Sequence, residues 1–188
     1  MLLGVIRTIM APTSPIVIRS LSATDDMAVL TEVIRAAYSR HAAQNLRYWA
    51  THQPPEDTKR RLAAGHGLIA EVNDTIIGTL TVRPPHPKAK VELYREATIW
   101  TLSQFAVLPK FQGLGIGRRL HQAALDYASA HGGRVIALDT AAPATEVIEM
   151  YRRWGYQVVG ECDFRPKTNY LSVVMSRAIL DDTRSNGR

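Results

Sequence analysis

Apolar positions along this chain recur at two spacings, and the switches between them outline a succession of strands and helices. Residues 16–19 read as a short first strand. Met27, Leu30, Ile34 and Tyr38 then fall at helical spacing, which predicts a helix to about Ser39, capped by Ser22 or Thr24. Pro54-Pro55 followed by Glu56 and Asp57 marks a second helix start, and Gly65 stops that helix after Ala64. Residues 68–72 and 75–83 flank Asn73-Asp74, a hairpin signal. Gly78 inside the second arm marks a bulge or a close backbone approach.

A polar loop opens at Pro84 and runs to about Arg95, and residues 97–107 form the next strand. The helix predicted from about Gly113 to His131 has Ile116, Leu120, Ala124 and Tyr127 as its inward stripe. Residues 134–139 have a continuous apolar centre, which implies a strand buried on both faces. A fourth helix spans roughly Ala144 to Trp154 and stops at Gly155, and residues 156–161 and 170–176 are the last strands. Residues 1–15 hold two prolines and no sustained period, and read as a loosely attached leader. Residues 16–177 then form one domain, and residues 178–188 a polar C-terminal tail. No internal repeat interrupts this order.

Composition narrows the class. A chain of 188 residues with 46% apolar and 21% charged residues suits one soluble domain with a sizeable core. No apolar run approaches the ~18 residues that would span a bilayer, so no membrane association is expected. The apolar N-terminus is interrupted by Arg7 and lacks the regions of a signal peptide. A single cysteine, Cys162, excludes an intrachain disulfide and fits a reducing cytoplasm. It reads as a structural thiol. The net charge of +6 suits an anionic cofactor, an acidic substrate or RNA. Lys59-Arg60-Arg61 is expected as a solvated helix face. No basic stripe is interleaved with aromatics, so nucleic acid is not an expected partner.

The most informative stretch is residues 102–120, where a strand ending at Val107-Leu108-Pro109 runs into Gly113, Gly115 and Gly117 and then directly into a helix. Such a turn directs several unpaired N–H groups at one point, and the helix dipole adds to their attraction for an anion. Two phosphate cradles fail on spacing. The nucleotide P-loop needs Lys then Ser or Thr after its last glycine, where Arg118 and Arg119 stand. The dinucleotide fingerprint needs a third glycine where Arg118 or Leu120 stands. An ATPase or dehydrogenase is therefore disfavoured. An ordinary strand-to-helix turn is the plain alternative.

Gln112-x-x-Gly115-x-Gly117 behind a strand ending in Val-x-Pro resembles the acetyl-CoA-binding motif of the GNAT superfamily of N-acetyltransferases. Met150-Tyr151-Arg152-Arg153-Trp154-Gly155-Tyr156 is similar to a second signature of that family, a Tyr followed four residues later by Gly and an aromatic. The resemblance covers residues 16–177, and the predicted element order is the one expected of it. It implies a single-domain α/β acyl-CoA N-acyltransferase fold. The sheet would be mixed and mostly antiparallel, with about seven strands flanked by four helices.

The resemblance also implies roles. The strand before the turn would carry a bulge and splay from its neighbour, leaving a free edge at Phe105, Ala106 and Val107 for the pantetheine arm of acetyl-CoA. The N–H of Val107 would polarise the thioester carbonyl and stabilise the oxyanion. Gln112, Gly113, Leu114, Gly115, Ile116, Gly117 and Arg118 would hold the pyrophosphate. Tyr151 would lie near the CoA sulfur and protonate it, a role suited to a phenol that stays protonated at neutral pH. An amine of a small molecule or protein would attack directly in a ternary complex, with no metal. An aminoacyl-tRNA acceptor is a minority possibility, and homodimers through the last strands are expected by analogy.

Three departures qualify this. The family's strand Glu is replaced by Ser103 and Gln104, neither of which can be a base. Glu92, Glu96 and Asp139 are substitutes by position, read as solvated or structural carboxylates. The Asn common early in the fourth helix falls at Ala144, with Thr145 beside it as a replacement. Tyr38, His41, Trp49 and His52 match no substrate signature. The missing Glu leaves a second reading, a non-catalytic acyl-CoA-binding sensor or interaction module of the same fold.

Overall fold

Seven strands form a single sheet in the order β1-β2-β3-β4-β5-β7-β6. The strands are β1 (Val17–Ser20), β2 (His66–Val72), β3 (Thr75–Arg83), β4 (Ile99–Val107), β5 (Val135–Ala141), β6 (Gln157–Asp163) and β7 (Leu171–Ala178). Every neighbouring pair is antiparallel except β4 and β5. This computed structural model describes residues 14–179. Most of the expected leader and tail therefore lies outside the described residues. The element order and single-domain α/β class are as the sequence indicates, with boundaries shifted by a few residues.

The helices α1 (Met27–Ala43), α2 (Pro55–Leu62), α3 (Ile116–Ala130) and α4 (Thr145–Arg153) cover the two faces in pairs. Alternation along β2 explains the division. Ile69 packs with Leu30, Val33 and Leu62 of the α1–α2 layer. Leu68 and Ala70 pack into the larger core with Ile116, Leu120 and Ala124 of α3 and Ile148 and Tyr151 of α4.

α1 is capped by Asp26, not by Ser22 or Thr24. The Asp26 carboxylate accepts from Ala28 N at 2.7 Å and Val29 N at 3.4 Å. Ser22 and Thr24 belong to a tighter loop in which Asp25 accepts from Ser22 N at 2.7 Å and two donors of Arg19. Arg19 holds the Asp25 carboxyl below the usual range. No proline or glycine follows until Pro54, so α1 runs a turn past Ser39. Gly78 meets both expectations. The β2–β3 register slips between Ala70 and Glu71 beside it, and a Cβ at 78 would lie 2.9 Å from the Ala106 carbonyl oxygen.

The inward face of α3 is wider than the sequence stripe. Leu120 and Ala124 are fully enclosed, and His121, Leu125 and Ala128 are buried with them. Tyr127 sits at the rim, stacked on His66 with ring centroids 3.8 Å apart. His121 Nε2 lies 2.8 Å from the Tyr156 hydroxyl. Burial, with Arg177 and Arg118 nearby, lowers its pKa to about 4. The unfolded chain therefore binds a proton near pH 6.5 that the fold refuses until about pH 4. Stability from this residue is complete above pH 6.5 and is lost as pH falls through that window, on the order of 3 kcal/mol in all. Urea unfolding at pH 7 and pH 4.5 should show this loss, and His121→Asn should make the pH dependence shallower.

Candidate active site

The site begins where β4 stops pairing with β5. These strands match only from Ile99↔Val135 to Thr101↔Ala137. β5 then continues alongside β7 as far as Ala141↔Ser172, while β4 stays with β3 as far as Gly78↔Val107. A bulge in β4 accompanies the divergence. Thr79 faces Ala106 and Thr81 faces Ser103, so one extra residue is accommodated on β4. Gln104 adopts a φ of 53° to do so. An extra residue bends its strand and raises local twist, which steers the end of β4 off the line of β5.

The free edge has a defined polarity. Leu108 N donates to Ile77 O at 2.9 Å across β3. Alternation therefore turns the N–H and C=O of Val107 toward the open side. The Gln112 side-chain amide donates to Val107 O at 2.9 Å and fastens the following turn to the strand end. A short 3-10 turn over Pro109–Phe111 leads to Gly113 at φ 81° and Gly115 at φ 78°, conformations natural only to glycine. α3 starts at Ile116, not Gly113, and Arg119 N makes its first bond back to Gly115 O at 3.1 Å. The N–H groups of Ile116, Gly117 and Arg118 precede that bond and point out of the helix end.

The notch opens into a cleft of about 1560 Å³. Phe105, Ala106, Val107, Gln112, Gly113, Gly115, Ile116, Gly117, Arg118 and Tyr151 all line it. Leu114 packs against the core instead. Tyr151, on α4, is 7% exposed and packs edge-on against Trp154 and Tyr156. Its hydroxyl makes no hydrogen bond among the described residues, and burial raises its pKa well above that of a free phenol. Ala144 caps α4 without a side-chain bond.

The other half of the cleft was not legible as a site in the sequence. Tyr48 packs against Tyr38, His41 and Tyr170 at centroid distances of 5.3, 4.9 and 5.0 Å. Its hydroxyl accepts from Ala141 N at 3.1 Å and lies 2.9 Å from Thr140 Oγ1. Burial pushes Tyr38 up to about 12 and Tyr48 upward too. Trp49 lines the rim; His52 packs against it and lies 3.0 Å from Thr51 Oγ1, and His52, Glu92 and Glu96 lie outside the cleft.

One residue requires correction. Arg61 is not on the solvated face expected of Lys59-Arg60-Arg61. It turns into the cleft and donates to Gln53 Oε1 at 2.6 Å. Asp139, read as a solvated or structural carboxylate, is solvent-exposed, and the surface it faces is the cleft. It follows the last β4–β5 pair and lines the cleft. Tyr94 donates to it at 3.2 Å. Burial raises its pKa, against the opposing effects of Tyr94, Arg61 and Arg83. Among the described residues no three His, Cys, Asp or Glu side chains gather as metal ligands.

Residues 30–156 match the sequence model of the Acetyltransferase (GNAT) family. No curated protein matches the chain. Solved structures share its fold. PH1933 from Pyrococcus horikoshii OT3 superposes with a TM-score of 0.67 at 21% identity, over 87% of this chain and 98% of that one. The ribosomal-protein-S18-alanine N-acetyltransferase from Escherichia coli gives 0.63 at 16% identity, over 93% and 100%. The protein yncA from Salmonella typhimurium, solved with its cofactor acetyl-CoA, gives 0.63 at 21% identity, over 89% and 96%.

A Cβ at Gly115 would meet nothing within 4 Å. Gly115→Ala therefore carries only the left-handed backbone penalty of about 1 kcal/mol. The expected result is a melting temperature lowered by about 2–4 °C, read by thermal unfolding.

Proposed function

Because the chain belongs to the GNAT acetyltransferase family, we propose that it transfers an acetyl group from acetyl-CoA to a primary amine while both occupy the cleft. The observation that carries this is the free edge of β4 leading through a short 3-10 turn into the glycine turn, with Tyr151 lining the same cleft. Acetyl-CoA, when bound, supplies the activated acyl thioester. The residues fit it: Val107 offers a strand edge, the turn offers three converging N–H groups, and the space around Gly115 is free of side chains. Arg118 adds a positive charge beside the turn.

Each remaining role belongs to a named atom. Val107 N–H donates to the acyl carbonyl oxygen, where negative charge grows during transfer. Tyr151 holds its proton because burial disfavours the phenolate, so its hydroxyl can give that proton to the departing sulfur. Asp139 accepts the proton of the attacking amine. Its raised pKa brings it closer to the operating pH than an ordinary carboxylate, and it stands in for the Glu absent at Ser103 and Gln104. Asp139 and Tyr151 line the same cleft. Val158 and Val159, exposed on the outer strand β6, support pairing with a second copy along that edge. No helix among the described residues is long and apolar enough to cross a membrane, and the lone cysteine supports a reducing cytoplasmic setting.

Tyr151→Phe keeps the packed ring and removes only the hydroxyl. We expect turnover to fall about a hundredfold, with acetyl-CoA affinity unchanged by calorimetry. In the same assay Asp139→Asn should lower turnover and remove the acidic limb of the pH–rate profile, since that limb reports protonation of Asp139. Turnover at the parent rate in Tyr151→Phe would remove the acid assignment. Acetyl-CoA binding without turnover on any amine would favour the non-catalytic module.

A further inference from the structure

The cleft beyond Tyr151 carries more positive charge than its own residues neutralise. Arg83 ends β3 on the same sheet face as Thr79 and Thr81, and it lines the cleft. Its guanidinium makes no hydrogen bond or ion pair with the described residues. Arg61 faces the same space and has one hydrogen bond, to the neutral amide of Gln53. Arg83 is in register with Thr101, and Thr101 with Ala137 two residues before Asp139, so the sheet sets Arg83 and Asp139 on one stretch of the cleft that Arg61 also lines. Arg40 at this end is already paired with Glu146 at 2.9 Å. Two guanidiniums thus face one carboxylate, which Tyr94 already contacts.

Arg61 is fixed in place. Gln53 is fully buried, and its amide donates to Thr58 Oγ1 at 2.7 Å. The Thr31 hydroxyl meets the same Thr58 oxygen at 2.7 Å. This chain leaves most of the Arg61 fork free, and burial destabilises its charge. A planar guanidinium withdrawn from water and lacking an anion is matched by a carboxylate held through two donors.

We propose that Arg61 and Arg83 form a carboxylate-binding subsite and that the acetyl acceptor is a free α-amino acid. This rests on the acetyl-transfer reading above. An acceptor whose carboxylate meets the arginines must bring its amine to Asp139, which neighbours them, so amine and carboxylate stand close together on one molecule. The rings of Tyr38, Tyr48 and Tyr170 offer an aromatic flank for its side chain. A polypeptide N-terminus fits poorly, since its first carboxylate has become a neutral amide.

The test supplies acetyl-CoA and measures CoA release with the twenty common L-amino acids. Matched amines lacking the carboxylate (agmatine for arginine, phenethylamine for phenylalanine) and C-terminally amidated dipeptides run in parallel. Calorimetry then follows the best acceptor binding to the CoA-loaded protein. We expect at least one amino acid to exceed its matched amine and amide about tenfold to a hundredfold in kcat/KM. Arg83→Gln should bring that ratio near one and weaken amino-acid binding, with acetyl-CoA affinity unchanged. Equal use of amines, amides and amino acids would overturn the subsite, as would a preference that survives Arg83→Gln. Inactivity of the whole panel in protein that binds acetyl-CoA would overturn it too. Failure to bind acetyl-CoA at all would strike the acetyl-transfer reading instead.

Discussion

β4 and β5 part after Thr101 and Ala137, and that parting gives the sheet a place where chemistry can happen. A complete parallel ladder would pair every N–H and C=O between the two strands and leave a ligand nothing to join. The bulge at Gln104 breaks it. The distortion has a cost of order 1 kcal/mol for a non-glycine residue at positive φ. It also leaves Gln104 Oε1 and Ser103 Oγ buried without a partner among the described residues. Burial of Leu102 and Ala106 on either side offsets that cost.

The same distortion organises both ends of the cleft. Toward the helix end of the strand, Val107 O accepts from Gln112 and fixes where the glycine turn begins. Toward the α1–α2 layer, the Gln104 amide donates to Thr58 O at 3.4 Å. Thr58 in turn holds Gln53, and Gln53 holds Arg61. A backbone irregularity in one strand thus connects the glycine turn with the charged groups of the opposite half. Tyr151 and Asp139 approach from α4 and β5, which are free to do so because β5 stays with β7.

The half of the site built from backbone was legible in the sequence, and the half built from tertiary packing was not. Glycines at 113, 115 and 117 between a strand and a helix leave few alternatives, because positive φ and an open helix end belong to that local segment. Tyr151 was legible through its spacing to Gly155. Arg61 was not, because three consecutive cations on a short helix give no period to tell which turns inward, and the buried Gln53 that draws it in lies outside the helix. Asp139 was named as a substitute by position, but not as a cleft residue. A carboxylate after an apolar strand run reads as the strand's polar end, and only the departure of β4 makes it a cleft wall. Tyr48 carried no signal, because its partners Tyr38, Thr140 and Tyr170 lie far apart in the chain. The cap of α1 moved to Asp26 for a related reason, since Arg19 from another element claims the loop before it.

Calorimetric titration of the nucleotide-free protein with acetyl-CoA, with ATP and NAD as controls, tests the central claim most directly. The account predicts saturable binding of acetyl-CoA with no response to ATP or NAD, because the opened edge and glycine turn fit a strand-like arm ending in a pyrophosphate. Folded protein that shows no heat with acetyl-CoA, or that takes up ATP or NAD in its place, would contradict it.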